Sequence, residues 1–233
     1  CPWSRSETPG YFDGTNKFDL TRWDPAYFER LRRFVAAAQQ HGIVVEMNLF
    51  CPLYADEMWN ASPMNAKNNI NGIGDCPRSE VLTLEHHRLV ETHVAVTRKI
   101  VLELNEFDNV YFEVVNEPYE RSVSSQWERR IAETIQQAEK DLPNKHLISM
   151  NIASGRKKVE DPHPAVSIFN FHGCAPPDTV AMNYGLGKVI GENETGFRGR
   201  HDLLYRSEGW DFIVAGGALY SNLDYSFTPK HPD

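Results

Sequence analysis

The stretch "NVYFEVVNEPYE", residues 109–120, decides how the rest of the chain is read. Val110, Tyr111, Phe112, Val114 and Val115 are the β-branched and aromatic side chains that suit a sheet interior. Asn116, Glu117 and Pro118 then end the run, since Pro has no N–H to give to a ladder. The reading is a buried strand that finishes on a carboxylate, and a carboxylate at a strand tip is rigidly aimed.

Working outward, helix and strand patterns alternate on both sides of this segment. Upstream, Asp24 is placed to cap a helix with Pro25 at its first position, Phe28, Leu31, Val35 and Ala38 on one face, and Gly42 as the stop. "IVVEMNLF", 43–50, is the next strand, and Val90, Val94, Thr97, Val101 and Leu104 mark a helix by three- and four-residue steps. Downstream come a helix through Trp127, Ile131, Ile135 and Ala138, and strands at "HLISMNI", "VSIFNFH" and "KVIGENETG". A helix over about 200–214 and a final strand, "ALYSNLDYSF", complete the series.

Strands that alternate with single helices imply parallel βαβ units. Polar residues gather at the strand ends that lead into helices: Asn48, Glu117, Asn151, His172, Glu194 and Asp224. In a (β/α)8 barrel that rim is the active face, whereas a doubly wound sheet focuses function at one switch point. No Gly-rich phosphate loop follows any strand, so the barrel is the expected fold, as a single domain over 1–233. Only six of the eight barrel strands are found. An open-edged sheet of this kind invites completion by an N-terminal part of the barrel or by another copy of the chain.

Composition narrows the function. Of 233 residues, 41% are hydrophobic and 24% charged, as in an ordinary globular domain, and the net charge of −8 opposes a nucleic-acid surface. No apolar run approaches the ~20 residues that span a bilayer, so no membrane partner is expected. The four cysteines, Cys1, Cys51, Cys76 and Cys174, are scattered, which argues against a zinc site. A Cys51–Cys76 bridge and free thiols both fit. His86 and His87, at a helix start with no carboxylate at ligand spacing, read as surface, and no metal or cofactor is expected. The opening Cys1-Pro2-Trp3 reads as a processed or excised piece, so a missing leader carries no weight, and a secreted or periplasmic location is favoured.

Glu117 and Glu194 each stand where a buried strand gives way to a loop. Two carboxylates about 5 Å apart on one rim perform retaining glycoside hydrolysis, one protonating the leaving oxygen while the other attacks the sugar carbon. Like charges that close disfavour double ionisation, which holds one group protonated. Asn116 is placed to bond a sugar hydroxyl. Glu192, two residues before Glu194 on the same strand face, is the rival nucleophile.

"VVNEP" after one strand and "KVIGENETGF" after a strand three places later resemble the (β/α)8 retaining glycosidases of clan A, the cellulase-like superfamily. The resemblance implies that Glu117, behind Asn116, is the acid/base ending barrel strand four. It implies that Glu194, in Glu194-Thr195-Gly196, is the nucleophile ending strand seven, with Lys188 at the family's spacing. By the same resemblance the strands present are three to eight, and the substrate is an oligo- or polysaccharide with β-linkages. The strand-six tyrosine of the clan has no match in Phe171-His172-Gly173, and its strand-eight Trp is replaced by the region Asn222 to Tyr225.

The connection 51–84 is too long for an ordinary barrel loop. Its Trp59 suits stacking on sugar or pinning the loop, and Asn65, Asn68, Asn69 and Asn71 suit reading hydroxyls. Asn48 and Asn151 either touch ligand or satisfy strand-end groups. His172 either lines the cleft or is a buried structural histidine, and Asp224 and Tyr225 either touch ligand or pin the last strand. The competing class is a carbohydrate-binding or structural barrel fragment with an inactive site. Metal-dependent barrel chemistry ranks last, for want of His/Asp ligand spacing.

Overall fold

The computed structural model describes residues 1–119, 123–196 and 202–222. The chain divides into two compact units, Cys1–His146 and Leu147–Asp233.

The first unit opens on a β-hairpin that precedes the first helix read from the sequence. Strands β1 (Trp3–Pro9) and β2 (Asn16–Trp23) pair antiparallel. Their turn carries Asp13-Gly14, where Gly14 takes a φ of +83° and Asp13 Oδ1 accepts the Thr15 N–H at 2.9 Å. The Arg5 guanidinium lies 3.8 Å from the centre of the Phe18 ring and 4.2 Å from that of Tyr11. A lone hairpin is marginal in water. This one is bound to the long loop: Tyr11 donates to the Ala61 carbonyl at 2.6 Å, and Leu20 N–H donates to Asn71 Oδ1 at 2.8 Å.

Helix α1 (Pro25–Gln40) begins as expected, with Asp24 Oδ1 accepting the Ala26 N–H at 3.0 Å. It buries Phe28, Val35 and Ala38. Strand β3 (Val45–Phe50) follows, then the long connection holding the short helix α2 (Asp56–Ala61), then α3 (His87–Leu104), β4 (Val110–Val115) and α4 (Ser125–Glu139). Strands β3 and β4 run parallel, with Val45 opposite Val110 and Phe50 opposite Val115. All of β4 is buried, the mark of a parallel strand covered on both faces. Ser124 caps α4 through the Trp127 N–H at 3.1 Å, and Trp127, Ile131 and Ile135 are fully buried.

The second unit holds β5 (Ile148–Ser154), β6 (Ile168–His172), the short helix α5 (Asp178–Asn183), β7 (Val189–Glu194), α6 (Asp202–Val214) and β8 (Leu219–Tyr220). Each strand pairs parallel with the next in order. All six strands expected from the sequence are present as β3 to β8; the last is confined to Leu219–Tyr220, and the expected strand's residues from 223 on lie outside the described residues. No helix among the described residues is long and apolar enough to cross a membrane. All four cysteines are unbridged, so the Cys51–Cys76 link is not made.

Candidate active site

In the first unit the candidate acid stands one residue past the end of the β3–β4 ladder. The Asn116 N–H still donates to the Phe50 carbonyl at 3.0 Å, which carries the strand pairing to the residue before Glu117. Glu117 then turns sharply, with a φ of +45°, a left-handed conformation that a non-glycine residue adopts at a cost. Pro118 bars any return to the ladder. Tyr54, four residues beyond β3, reaches back to this turn. Its hydroxyl donates to Glu117 Oε2 at 2.8 Å and accepts from Asn116 Nδ2 at 3.0 Å. Burial, and then the Glu117 carboxylate it bonds, push the Tyr54 phenol well above its ordinary pKa, so it stays a donor.

One layer below the rim, Tyr111 donates to Glu46 Oε2. Asn48 donates through Nδ2 to Glu46 Oε1 and to Glu113 Oε1, both at 3.2 Å. Asn48, exposed at the edge of β3, thus ties carboxylates of two neighbouring strands. Burial and the Glu46 charge raise the Tyr111 pKa, keeping this phenol protonated as well.

In the second unit three sequence-predicted residues come together. His172 ends β6 with its Nδ1 3.5 Å from Glu194 Oε2 at the end of β7, and its Nε2 is 2.5 Å from Asn151 Nδ2 on β5. An amide N–H facing Nε2 makes that nitrogen the acceptor, which puts the ring proton on Nδ1, toward Glu194. Glu192 differs. It is 1% exposed, and its Oε1 accepts the Cys174 N–H at 2.6 Å, a backbone bond that fixes the loop after β6. The Glu194 side chain retains 26% exposure. Thr195 turns inward to donate to Glu208 at 2.9 Å. Asp224 and Tyr225 lie outside the described residues.

Other expected site residues turn out to be loop structure. Trp59 is 4% exposed and donates through Nε1 to the Cys76 carbonyl at 2.9 Å, so its ring is packed inside the loop rather than offered to sugar. Asn68 and Asn69 are buried, with Asn69 donating to the carbonyls of Pro63, Asn65 and Ile73 and accepting from the Asn71 and Ile73 N–H groups. Asn65 and Asn71 likewise bond backbone N–H groups. Amides with those partners mimic backbone and hold the loop's turns. His86 also departs from the surface reading: Glu80 and Glu85 lie with it, ligand atoms within 4.8 Å of one another, and Glu80 Oε2 is 2.6 Å from Nε2. Tyr54 was missed altogether.

A protein-family profile described as a domain of unknown function, DUF6298, matches residues 1–78, the hairpin, α1, β3 and the first part of the long loop. No curated protein sequence matches the chain. Among solved structures, a candidate glycoside hydrolase from Bacteroides vulgatus superposes with a TM-score of 0.68 at 17% identity, over 95% of this chain and 40% of that one. The fold is one that glycoside hydrolases use. Endo-glycoceramidase II from Rhodococcus sp. agrees: its complex with a five-membered iminocyclitol gives a TM-score of 0.59 at 15% identity, over 90% of this chain and 63% of that one. Its ganglioside GM3 complex gives 0.56 at 14% identity, over 91% of this chain and 65% of that one. The chain therefore spans less than two thirds of the length of each of these relatives.

Proposed function

We propose that this chain carries the catalytic centre of a retaining glycoside hydrolase acting on a β-linked glycan, in a clan A (β/α)8 barrel and without a cofactor. Glu194 is the nucleophile. Its carboxylate attacks the anomeric carbon as the bond to the leaving oxygen breaks and Glu117 passes its proton to that oxygen. Glu117, now a carboxylate, takes a proton from water, whose oxygen displaces Glu194 from the same carbon. Two inversions leave the anomer as it began. Asn116 holds the hydroxyl beside the reacting carbon. The mechanism needs the two carboxyl groups about 5 Å apart.

One observation carries the reading: both candidate carboxylates stand at the C-terminal ends of parallel strands, partly open, and each is met by a side chain able to orient it. Tyr54 meets Glu117, and His172 meets Glu194. That is the end of the strands on which barrel enzymes build their sites.

The test uses a panel of aryl β-glycosides and β-glucans, mannans and xylans, with product anomers followed by proton NMR. Glu117→Gln and Glu194→Gln are each expected to lose at least ~100-fold in kcat with an unchanged circular dichroism spectrum. An inverted product would overturn the retaining mechanism. Glycan binding by calorimetry with no turnover would instead favour a carbohydrate-binding protein with an inactive site.

A further inference from the structure

The hydroxyl of Tyr54 has one proton to give, and Glu117 Oε2 receives it; its oxygen accepts from Asn116 Nδ2. The direction of this short chain is therefore set from amide to phenol to carboxylate. One oxygen atom holds both the candidate acid and the amide beside it. The arrangement is anchored from two sides. Asn116 is fixed by its backbone bond to Phe50, and Tyr54 is fixed at the root of a loop whose turns are closed by the buried Asn68 and Asn69. Glu117 itself sits on a left-handed turn, so its backbone alone does not give its side chain the usual strand-end direction.

Resting on the glycosidase reading, we propose that Tyr54 is the positioning residue of the acid/base. By engaging Oε2 it assigns the transferable proton to Oε1 and turns that oxygen toward the leaving group. The phenol's bond also strengthens as Glu117 gives up its proton, because the acceptor passes from a neutral carboxyl to a carboxylate. The gain therefore appears in the step where the leaving oxygen needs a proton, and it is given back when Glu117 withdraws a proton from water. In that first step the carbon–oxygen bond to the leaving group breaks. The proton of Glu117 Oε1 ends on the departing oxygen, and the anomeric carbon bonds to Glu194.

Tyr54→Phe removes one oxygen atom and tests the idea. Kinetics would be measured on aryl β-glycosides whose leaving groups range from alkyl-like to 2,4-dinitrophenol. For the poorest leaving groups kcat/KM is expected to fall about 10- to 100-fold. For dinitrophenol, which departs without a proton, the fall should be less than about 3-fold, with KM nearly unchanged. Because the signal is a ratio between substrates on one preparation, a partly unfolded variant would not imitate it. An equal loss across all leaving groups, or none, would overturn the role of Tyr54. Glu117→Gln run alongside separates the two ideas: if it keeps full activity on poor leaving groups, the assignment of the acid itself falls. If it is inactive there while Tyr54→Phe behaves as wild type, only the positioning role is lost.

Discussion

Replacing His93 with Asn should make the chain's stability less sensitive to mild acid. His93 lies on the buried face of α3, fully enclosed, with ring contacts to Phe50 at 5.0 Å and Trp127 at 5.6 Å between centroids. Trp127 Nε1 donates to its Nδ1 at 3.1 Å, so the ring is neutral with its proton on Nε2, which has no hydrogen-bond partner among the described residues. Charging this imidazole would strand a cation among aromatic rings and take the acceptor from the indole. Burial accordingly pushes its pKa down to about 3. The unfolded chain takes up this proton near pH 6.5, whereas the folded chain does so only near pH 3. Between those values the unfolded state binds more protons, so stability falls as pH falls. At 1.36 kcal/mol per pH unit, the cost of moving from pH 7.5 to 5.0 is about 2 kcal/mol from this one residue. Urea unfolding followed by tryptophan fluorescence at both pH values measures it. Asn keeps an oxygen for the indole N–H but has nothing to titrate, and the carboxylates common to both proteins cancel in the difference. Wild type should lose about 2 kcal/mol more than His93→Asn over that interval. Equal losses would refute the buried neutral imidazole.

Three further outcomes are expected. A 2-fluoro glycoside that traps the glycosyl-enzyme should label the peptide at Glu194 and not at Glu192, read by tandem mass spectrometry. Asn69→Ala strips a buried side chain of its bonds to five backbone groups and should cost roughly 2–4 kcal/mol; the loop 51–84 should become the first site of proteolysis. Trp59→Phe loses the bond to the Cys76 carbonyl and should destabilise by about 1 kcal/mol while leaving KM for glycans unchanged.

The parts of the fold that could be read from sequence are those with strong local reasons. The run from Val110 to Val115 has the β-branched and aromatic residues of a buried strand and is too short for a helix, and Asp24-Pro25 stands directly before a helical apolar pattern. The hairpin was missed although Asp13-Gly14 is a hairpin turn signal, because its strands, "WSRSETP" and "NKFDLTRW", are too polar to announce a sheet. Tyr54 could not have been found by pattern. It contacts a residue 63 positions away, from within a loop that has no periodicity to orient it. The asparagines of that loop show a different limit. An amide that can read a sugar hydroxyl can equally close a turn, and only burial decides which it does. Asn68 and Asn69 are 2% and 3% exposed, with their amides committed to backbone carbonyls.

The choice between Glu192 and Glu194 shows what strand parity leaves out. Alternation alone would put both side chains on one face of β7 and treat them as equals, but the register with β6 shifts between them. Depth along the strand separates them. Glu192 stands opposite Phe171, inside the pairing of β6 and β7, whereas Glu194 stands opposite His172, where the pairing ends. Two residues advance a strand by about 7 Å. Over that distance the surroundings pass from a buried layer, where a carboxylate must be consumed by a bond such as that from the Cys174 N–H, to a rim where one can meet a substrate. A nucleophile must approach an anomeric carbon in line with the departing bond, which a carboxylate 1% exposed and bonded to backbone is poorly placed to do. The geometry of β7 therefore favours Glu194 on grounds independent of the Thr-Gly that follows it.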